Sequence, residues 1–172
     1  MKHVIALDVG GTGMKAALIA EDGSLLHEAR RATGRERGPD AVVETIQDFA
    51  AELLDTGRER FGRPASAAGV AVPGIVDAEH GIAVYAANLG WRDVPLRALL
   101  SGRLGGIPVA LGHDVRTGGL AEGRIGAGRG ADRFLFVPLG TGIAGAIGIP
   151  RRLAAGPPRV AGVLGHKLGG PR

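Results

Sequence analysis

Two glycine turns separated by one short apolar run constrain the start of this chain more tightly than any other feature. The first apolar stretch, Val4-Ile5-Ala6-Leu7, leads into Asp8-Val9-Gly10-Gly11-Thr12-Gly13, and only Met14 to Ala20 precede the turn Glu21-Asp22-Gly23. That run is too short for a crossover helix, so Lys15 to Ile19 and Leu25 to Ala29 read as the second and third strands of a meander. This excludes one fold. Gly11-Thr12-Gly13-Met14-Lys15-Ala16 fits the G-x-G-x-x-A dinucleotide fingerprint, and Gly140-Thr141-Gly142-Ile143-Ala144-Gly145 fits G-x-G-x-x-G. The fingerprint works only where a helix opens behind it and meets the pyrophosphate. The second loop runs almost at once into Pro150, so both loops join strand to strand and the Rossmann reading fails. No G-x-x-x-x-G-K-[ST] phosphate loop is present in the sequence.

A polar stretch, Thr33 to Gly38, ends the hairpins. Pro39-Asp40 then opens a helix, in which Val43, Ile46, Phe49, Leu53 and Leu54 recur at helical spacing and make one buried stripe. Gly69-Val70-Ala71-Val72 reads as a buried strand closed by Pro73-Gly74, with a hairpin around residues 77–80 and a polar loop, Asn88-Leu89-Gly90-Trp91. The pattern then predicts a short helix over 95–104, a strand over 109–111 and a helix over 115–126. Strands over 134–139 and 143–149 flank the second glycine turn, and from Pro150 the pattern dissolves into Pro, Gly and Arg. A meander followed by β-α units predicts an α/β fold, a mixed sheet with helices on its faces.

The formal charge of +4 suggests acidic partners until it is located along the chain. Sixteen Lys and Arg meet seventeen Asp and Glu in residues 1–148, whereas residues 149–172 hold Arg151, Arg152, Arg159, Lys167 and Arg172 and no acid. Nucleic-acid binding needs a basic face or an aromatic stacking platform. The body has neither, so no nucleic-acid partner is expected. No run approaches the ~18 apolar residues of a membrane span, and the early acid Asp8 argues against a signal peptide. The expectation is a soluble, cytoplasmic protein with no membrane partner. With no Cys, a disulfide frame, a thiolate metal site and a Cys nucleophile are all excluded.

A glycine loop between strands can expose consecutive backbone N–H groups to an anion, because no Cβ blocks the approach. An acid just before it, Asp8, suits Mg²⁺ held directly or through water. Asp8-Val9-Gly10-Gly11-Thr12, with Lys15 close behind, resembles the first phosphate motif of the ROK family of sugar kinases and repressors. The order continues with Gly69-Val70-Ala71-Val72-Pro73-Gly74-Ile75-Val76-Asp77, then Asn88-Leu89-Gly90-Trp91, then His113-Asp114-Val115-Arg116 with Ala121-Glu122. Leu139-Gly140-Thr141-Gly142-Ile143 resembles the second phosphate loop. The similarity runs from residue 4 to about residue 149.

The resemblance implies an actin-like (ribonuclease-H-like) ATPase fold, with an N-terminal lobe over 1–112 and the start of an incomplete second lobe over 113–149. Residues 150–172 would form an irregular basic tail. It implies a transferase of carbohydrate metabolism, an ATP-dependent sugar kinase of glucokinase type whose ligands are a small sugar and ATP. Carried over by position, Asp114 would be the general base toward a sugar hydroxyl. Pro73, Gly74, Asn88, His113, Asp114 and His166 would contact the sugar. Gly10, Gly11, Thr12, Gly140, Thr141 and Gly142 would contact ATP phosphates, and Asp8 would serve Mg²⁺. Asp114 follows a strand and precedes a helix, where Asp also suits the cap.

The sequence departs from the family pattern at identifiable places. His113 stands where the family has Asn, and Ala144 and Ala146 replace glycines of the second loop. Ala161-Gly162-Val163-Leu164-Gly165-His166 keeps the His of the family's Ala-Gly-Glu-x-Gly-His but places Val163 at the Glu. No Cys segment follows, so no zinc is expected. The alternative expectation is an impaired fragment that binds sugar weakly. A regulator is disfavoured because the phosphate motif at residue 8 leaves no room before it for a helix-turn-helix. An exposed apolar cleft face would favour a homo-oligomer.

Overall fold

The structure, a computed structural model, describes residues 1–139, 145–149, 152–153 and 163–164. The first apolar run forms β1 (His3–Val9), which turns through Gly10–Thr12 into β2 (Gly13–Ala20), and β3 (Leu25–Ala32) completes the meander. Period-two alternation decides the faces. His3, Ile5, Leu7 and Val9 on β1 and Met14, Ala16, Leu18 and Ala20 on β2 are buried. Asp8 and Lys15, opposite each other in the antiparallel register, are exposed on the other face.

The buried face is covered by α1 (Pro39–Phe61), whose Val42, Val43, Ile46, Phe49, Ala50, Leu53 and Leu54 join the strand residues in one core. Gly38, at φ 98°, turns the chain into Pro39, and Gly62, at φ 74°, ends the helix by donating its N–H to Arg58 O. β4 (Ala68–Val72) runs parallel to β1 with Ala71 opposite Asp8. With β8 (Val109–His113) added, the sheet order is β3-β2-β1-β4-β8, a mixed sheet. Because β1 and β4 are parallel, the glycine loop after Val9 and the Pro73-Gly74 turn after Val72 leave the same edge of that sheet.

β5 (Ile75–Asp77), β6 (Ile82–Ala86) and β7 (Trp91–Val94) make a separate antiparallel sheet, followed by α2 (Leu96–Arg103). The sequence reading places Trp91 in a polar loop, whereas here it begins β7, pairs with Ala86 and is fully buried. A buried indole needs an acceptor for its N–H, and Pro39 O supplies it at 3.2 Å. The start of α1 thus anchors the segment after Asn88.

The chain divides into two compact units, Met1–Gly112 and His113–Arg172. In the second, α3 (Asp114–Ile125) approaches β9 (Phe134–Phe136) through bare glycines. A Cβ on Gly118 would lie 2.8 Å from the Phe136 ring, and one on Gly123 would lie 2.9 Å from the Phe134 ring. β9 pairs antiparallel with β10 (Gly145–Ile149), Phe136 opposite Ala146, so antiparallel strands flank the second glycine loop. The stretch read as an irregular tail carries two short strands, β11 (Arg152–Leu153) and β12 (Val163–Leu164), each paired with β10. Among the described residues, no helix is long and apolar enough to cross a membrane.

One helical glycine is fixed by a histidine. Gly57 of α1 lies over His3, which is 1% exposed, donates Nδ1–H to Met1 O at 2.9 Å and meets Phe61 edge-on at 5.6 Å. A Cβ on Gly57 would stand 2.4 Å from His3 Nε2. Gly→Ala inside an ordinary helix stabilises by about 0.5–1 kcal/mol. Here Gly57→Ala is expected to destabilise by about 1–3 kcal/mol, the usual range for overpacking, with His3→Ala in the same chain relieving the clash. Urea denaturation checks this, and an unchanged or raised midpoint for Gly57→Ala alone would show that the imidazole moves aside.

Candidate functional site

The loop between β1 and β2 is a tight turn. Gly10 donates its N–H to Gly13 O at 2.9 Å, and a Cβ on Gly10 would stand 2.7 Å from that same oxygen. The Gly10 amide is therefore used within the turn. Gly11 and Thr12 donate to no backbone carbonyl among the described residues, which leaves their N–H groups as the ones suited to an anion. Thr33, fully buried at the end of β3, locks the turn from outside. Its hydroxyl donates to Gly10 O at 2.7 Å and its N–H to Thr12 O at 3.0 Å. The sequence reading misses Thr33, which sits in what looks like an unremarkable polar stretch. The available signal is a hydroxyl residue directly after a strand that pairs beside a glycine loop.

Asn88 meets this loop directly. A Cβ on Gly11 would lie 2.9 Å from Asn88 Nδ2, so the amide rests against the bare Cα of Gly11. Asn88 itself is exposed, while its neighbour Leu89 is buried and donates its N–H to Ala86 O at 3.1 Å, which holds the segment in place. Pro73-Gly74 lies against β6, the strand that leads into Asn88. Gly74 has φ 94°, and a Cβ there would stand 2.1 Å from Tyr85 O on β6. Glycine is required twice over at that position, by conformation and by space.

Beside the loop lies an open cavity of about 450 Å³, lined by Asp8, Thr12, Gly13, Lys15, Arg30 and Arg31 among others. Sheet register assembles it. Asp8 is opposite Lys15, and Lys15 is opposite Arg30, so these three side chains form a row across β1, β2 and β3. Glu28 accepts from Arg30 at 3.0 Å, also on this face. Arg31 points to the other face, where it pairs with Glu52 and stacks 4.8 Å over the Phe49 ring. Neither Arg30 nor Arg31 is singled out by the sequence reading.

In the second unit, Asp114 is the first residue of α3 and His113 its N-cap. Asp114 Oδ1 accepts the Val115 N–H at 2.7 Å and lies 3.1 Å from His113 Nδ1. The side chain is about one-third exposed, at 34%. The helix N-terminus favours an anion there. The cap position falls to His113, without a side-chain cap hydrogen bond, so the sequence reading of Asp114 as a cap gives way to a partly accessible carboxylate in the first turn. Gly140, Thr141, Gly142 and His166 lie outside the described residues.

Mg²⁺ takes few protein carboxylates and fills its shell with waters and substrate phosphates. One exposed carboxylate, Asp8, precedes the first glycine loop, and a single carboxylate fits that demand. Among the described residues, no group of three or more His, Cys, Asp or Glu could hold a metal ion.

Comparison with known proteins gives the family and the fold. The ROK family profile matches residues 4–172. A glucokinase from Thermotoga maritima is 35% identical over 95% of this chain and 50% of its own length. The structure of a ROK family glucokinase from Streptomyces griseus in complex with glucose and AMPPNP is 31% identical. It superposes with a TM-score of 0.78 over 93% of this chain and 48% of that one. The inorganic polyphosphate/ATP-glucomannokinase from Arthrobacter sp. strain KM is 36% identical, with a TM-score of 0.75 over 89% of this chain and 60% of that one. The chain spans about half the length of the curated relatives it matches. The fold is that of the ROK sugar kinases, actin-like and mixed α/β. With a match that runs from residue 4 to residue 172, the chain belongs to the ROK family.

Proposed function

We propose that this chain serves ATP-dependent phosphorylation of a sugar hydroxyl. The observation that carries the reading is the contact between Gly11 and Asn88. It brings a hydrogen-bonding amide suited to sugar hydroxyls against a loop whose backbone amides suit a phosphate. Phosphoryl transfer requires those two partners side by side, since the protein's work is positioning and charge neutralisation rather than covalent chemistry.

The roles follow from chemistry. Gly11 and Thr12 offer backbone N–H groups to the transferring phosphate, and Gly10 shapes the turn. Gly140, Thr141 and Gly142 are assigned to the same nucleotide's phosphates. Pro73-Gly74 shapes the sugar loop, and Asn88, His113 and His166 hydrogen-bond the sugar. Asp114 takes the proton from the attacking hydroxyl, with His113 beside its Oδ1 to orient it. Asp8 is assigned to Mg²⁺, which when bound with ATP neutralises phosphate charge.

Coupled ADP release from this 172-residue chain with glucose, N-acetylmannosamine and fructose tests the reading. Sugar-dependent release is expected, and Asp114→Asn is expected to lower it by about 10²–10⁴-fold, the usual contribution of a general base. A folded chain that binds glucose and releases no ADP would make it a sugar binder and overturn the kinase reading. Gly11→Ala gives a second check. Its Cβ displaces an exposed amide rather than a packed core, so the melting temperature should hold while sugar and AMPPNP affinities both fall by about tenfold. Loss of one affinity alone would separate Asn88 from the phosphate loop.

A further inference from the structure

Thr33 does more than close the turn between β1 and β2, because of the peptide unit that its hydroxyl holds. Gly13 pairs with Ala32 at the end of the β2–β3 ladder, so Thr33 is the first residue to overrun β2 and lie beside the loop. It is fully buried, and its N–H extends the pairing by one more bond, to Thr12 O at 3.0 Å. Its hydroxyl reaches further, to Gly10 O at 2.7 Å. The carbonyl of Gly10 and the N–H of Gly11 belong to one planar trans peptide, so they point in opposite directions. A carbonyl drawn onto the Thr33 hydroxyl therefore turns the Gly11 N–H away from it.

That unit lies between two glycines, which accept positive and negative φ almost equally. A peptide so placed turns over easily, and turning over would replace an N–H offered to an anion by a carbonyl oxygen that repels it. The bond from Gly10 N–H to Gly13 O fixes the preceding peptide, not this one. Among the described residues, the donor to Gly10 O is the Thr33 hydroxyl. The segment after Thr33 is itself tied down. Arg37 donates its N–H to Gly34 O at 3.0 Å, and its guanidinium donates to the Thr45 hydroxyl on α1.

We infer that Thr33 is a positioning residue for phosphoryl transfer, its hydroxyl holding the Gly10–Gly11 peptide so that the Gly11 N–H is offered to a nucleotide phosphate. The inference deepens the phosphoryl-transfer reading above and rests on it. Thr33 touches neither sugar nor nucleotide and acts through the loop. Asn88 is held separately, by the Leu89 N–H on Ala86 O at 3.1 Å, so the effect falls on the nucleotide and spares the sugar.

Titration calorimetry of the chain with AMPPNP and, separately, with glucose tests this. Thr33→Val removes the hydroxyl at nearly constant shape, and Thr33→Ser keeps it. Thr33→Val is expected to weaken AMPPNP binding by about tenfold, while Thr33→Ser changes it by less than about twofold. Glucose affinity should hold within about twofold in both variants. In turnover, Thr33→Val should raise the KM for ATP and leave the KM for glucose in place. Ser101→Ala removes a hydroxyl that likewise ties a turn, by donating to Ile107 O at 3.1 Å, and should leave AMPPNP affinity unchanged. The inference is overturned if the parent chain does not bind AMPPNP, or if Thr33→Val binds it as tightly as the parent does. It is overturned equally if Thr33→Ser or Ser101→Ala weakens AMPPNP as much as Thr33→Val, or if Thr33→Val weakens glucose as strongly. Should Thr33→Val fail to fold, amide hydrogen exchange in the parent chain decides. The Thr33 N–H should exchange slowly, and the Gly11 N–H should exchange fast until AMPPNP slows it. A Gly11 amide that AMPPNP leaves unchanged removes the inference. Sugar-dependent ADP release separates the two readings. Release with a Thr33→Val chain of unaltered AMPPNP affinity leaves the kinase and removes the positioning role. Hydroxyl-dependent AMPPNP binding without release from any sugar keeps the oriented loop and removes the kinase.

Discussion

The hydroxyl of Thr33 and its backbone N–H close on Gly10 O and Thr12 O, and the shape of the first glycine loop depends on that clamp. A loop of bare glycines loses more conformational freedom on ordering than any other sequence, so something must hold it. Two buried hydrogen bonds contribute net stability of about 1 kcal/mol each. Their larger effect is to pin both ends of the turn to β3. Once pinned, Gly11 presents its Cα to Asn88 and Thr12 faces the cavity. Gly10 contributes differently from the glycine after it, because its amide is already bonded to Gly13 O and its role is to let the chain pass that close.

Much of the fold is legible in the sequence because its signals are local. The short run between Gly13 and Glu21 forces a hairpin, the stripe from Val43 to Leu54 forces a helix, and Pro39 marks where that helix opens. The exclusion of a dinucleotide fold rests on the same local reasoning, and the β1–β2 pairing agrees with it. Illegible features depend on pairing between distant segments. Trp91 reads as part of a polar loop because its neighbours are Asn, Gly, Arg and Asp, yet its burial is settled by an acceptor on Pro39. The short strands at Arg152–Leu153 and Val163–Leu164 are similarly invisible, since their partner is β10 and their own composition is unpatterned.

The candidate site divides along the same line. Asp8, Gly11, Thr12, Asn88 and Asp114 can be named from motifs, because each motif is a short string. Thr33 and Arg30 acquire meaning only through the pairing of β3 beside the loop, which no single segment encodes. His113 and Asp114 lie between these cases. The pair is adjacent in sequence, but the placing of Asp114 Oδ1, which accepts the Val115 N–H and lies 3.1 Å from His113 Nδ1, belongs to a helix that begins at Asp114 rather than one residue later.

Charge shows most clearly why local placement outranks bulk composition. Residues 1–148 are close to neutral, and the excess of +4 belongs to the last stretch of the chain. A near-neutral body argues against a broad basic face for nucleic acid, and that argument concerns an average over a surface. It does not bear on a row three strands wide. Antiparallel pairing sets Asp8, Lys15 and Arg30 side by side although the last two are fifteen positions apart in sequence. Within a Debye length of about 8–10 Å at physiological ionic strength, a ligand in that cavity responds to these charges and to Glu28 and Arg31. The charges on residues 149–172 set the protein's pI of 10.3, whereas the chemistry of the cavity is set by a register that leaves the pI unchanged.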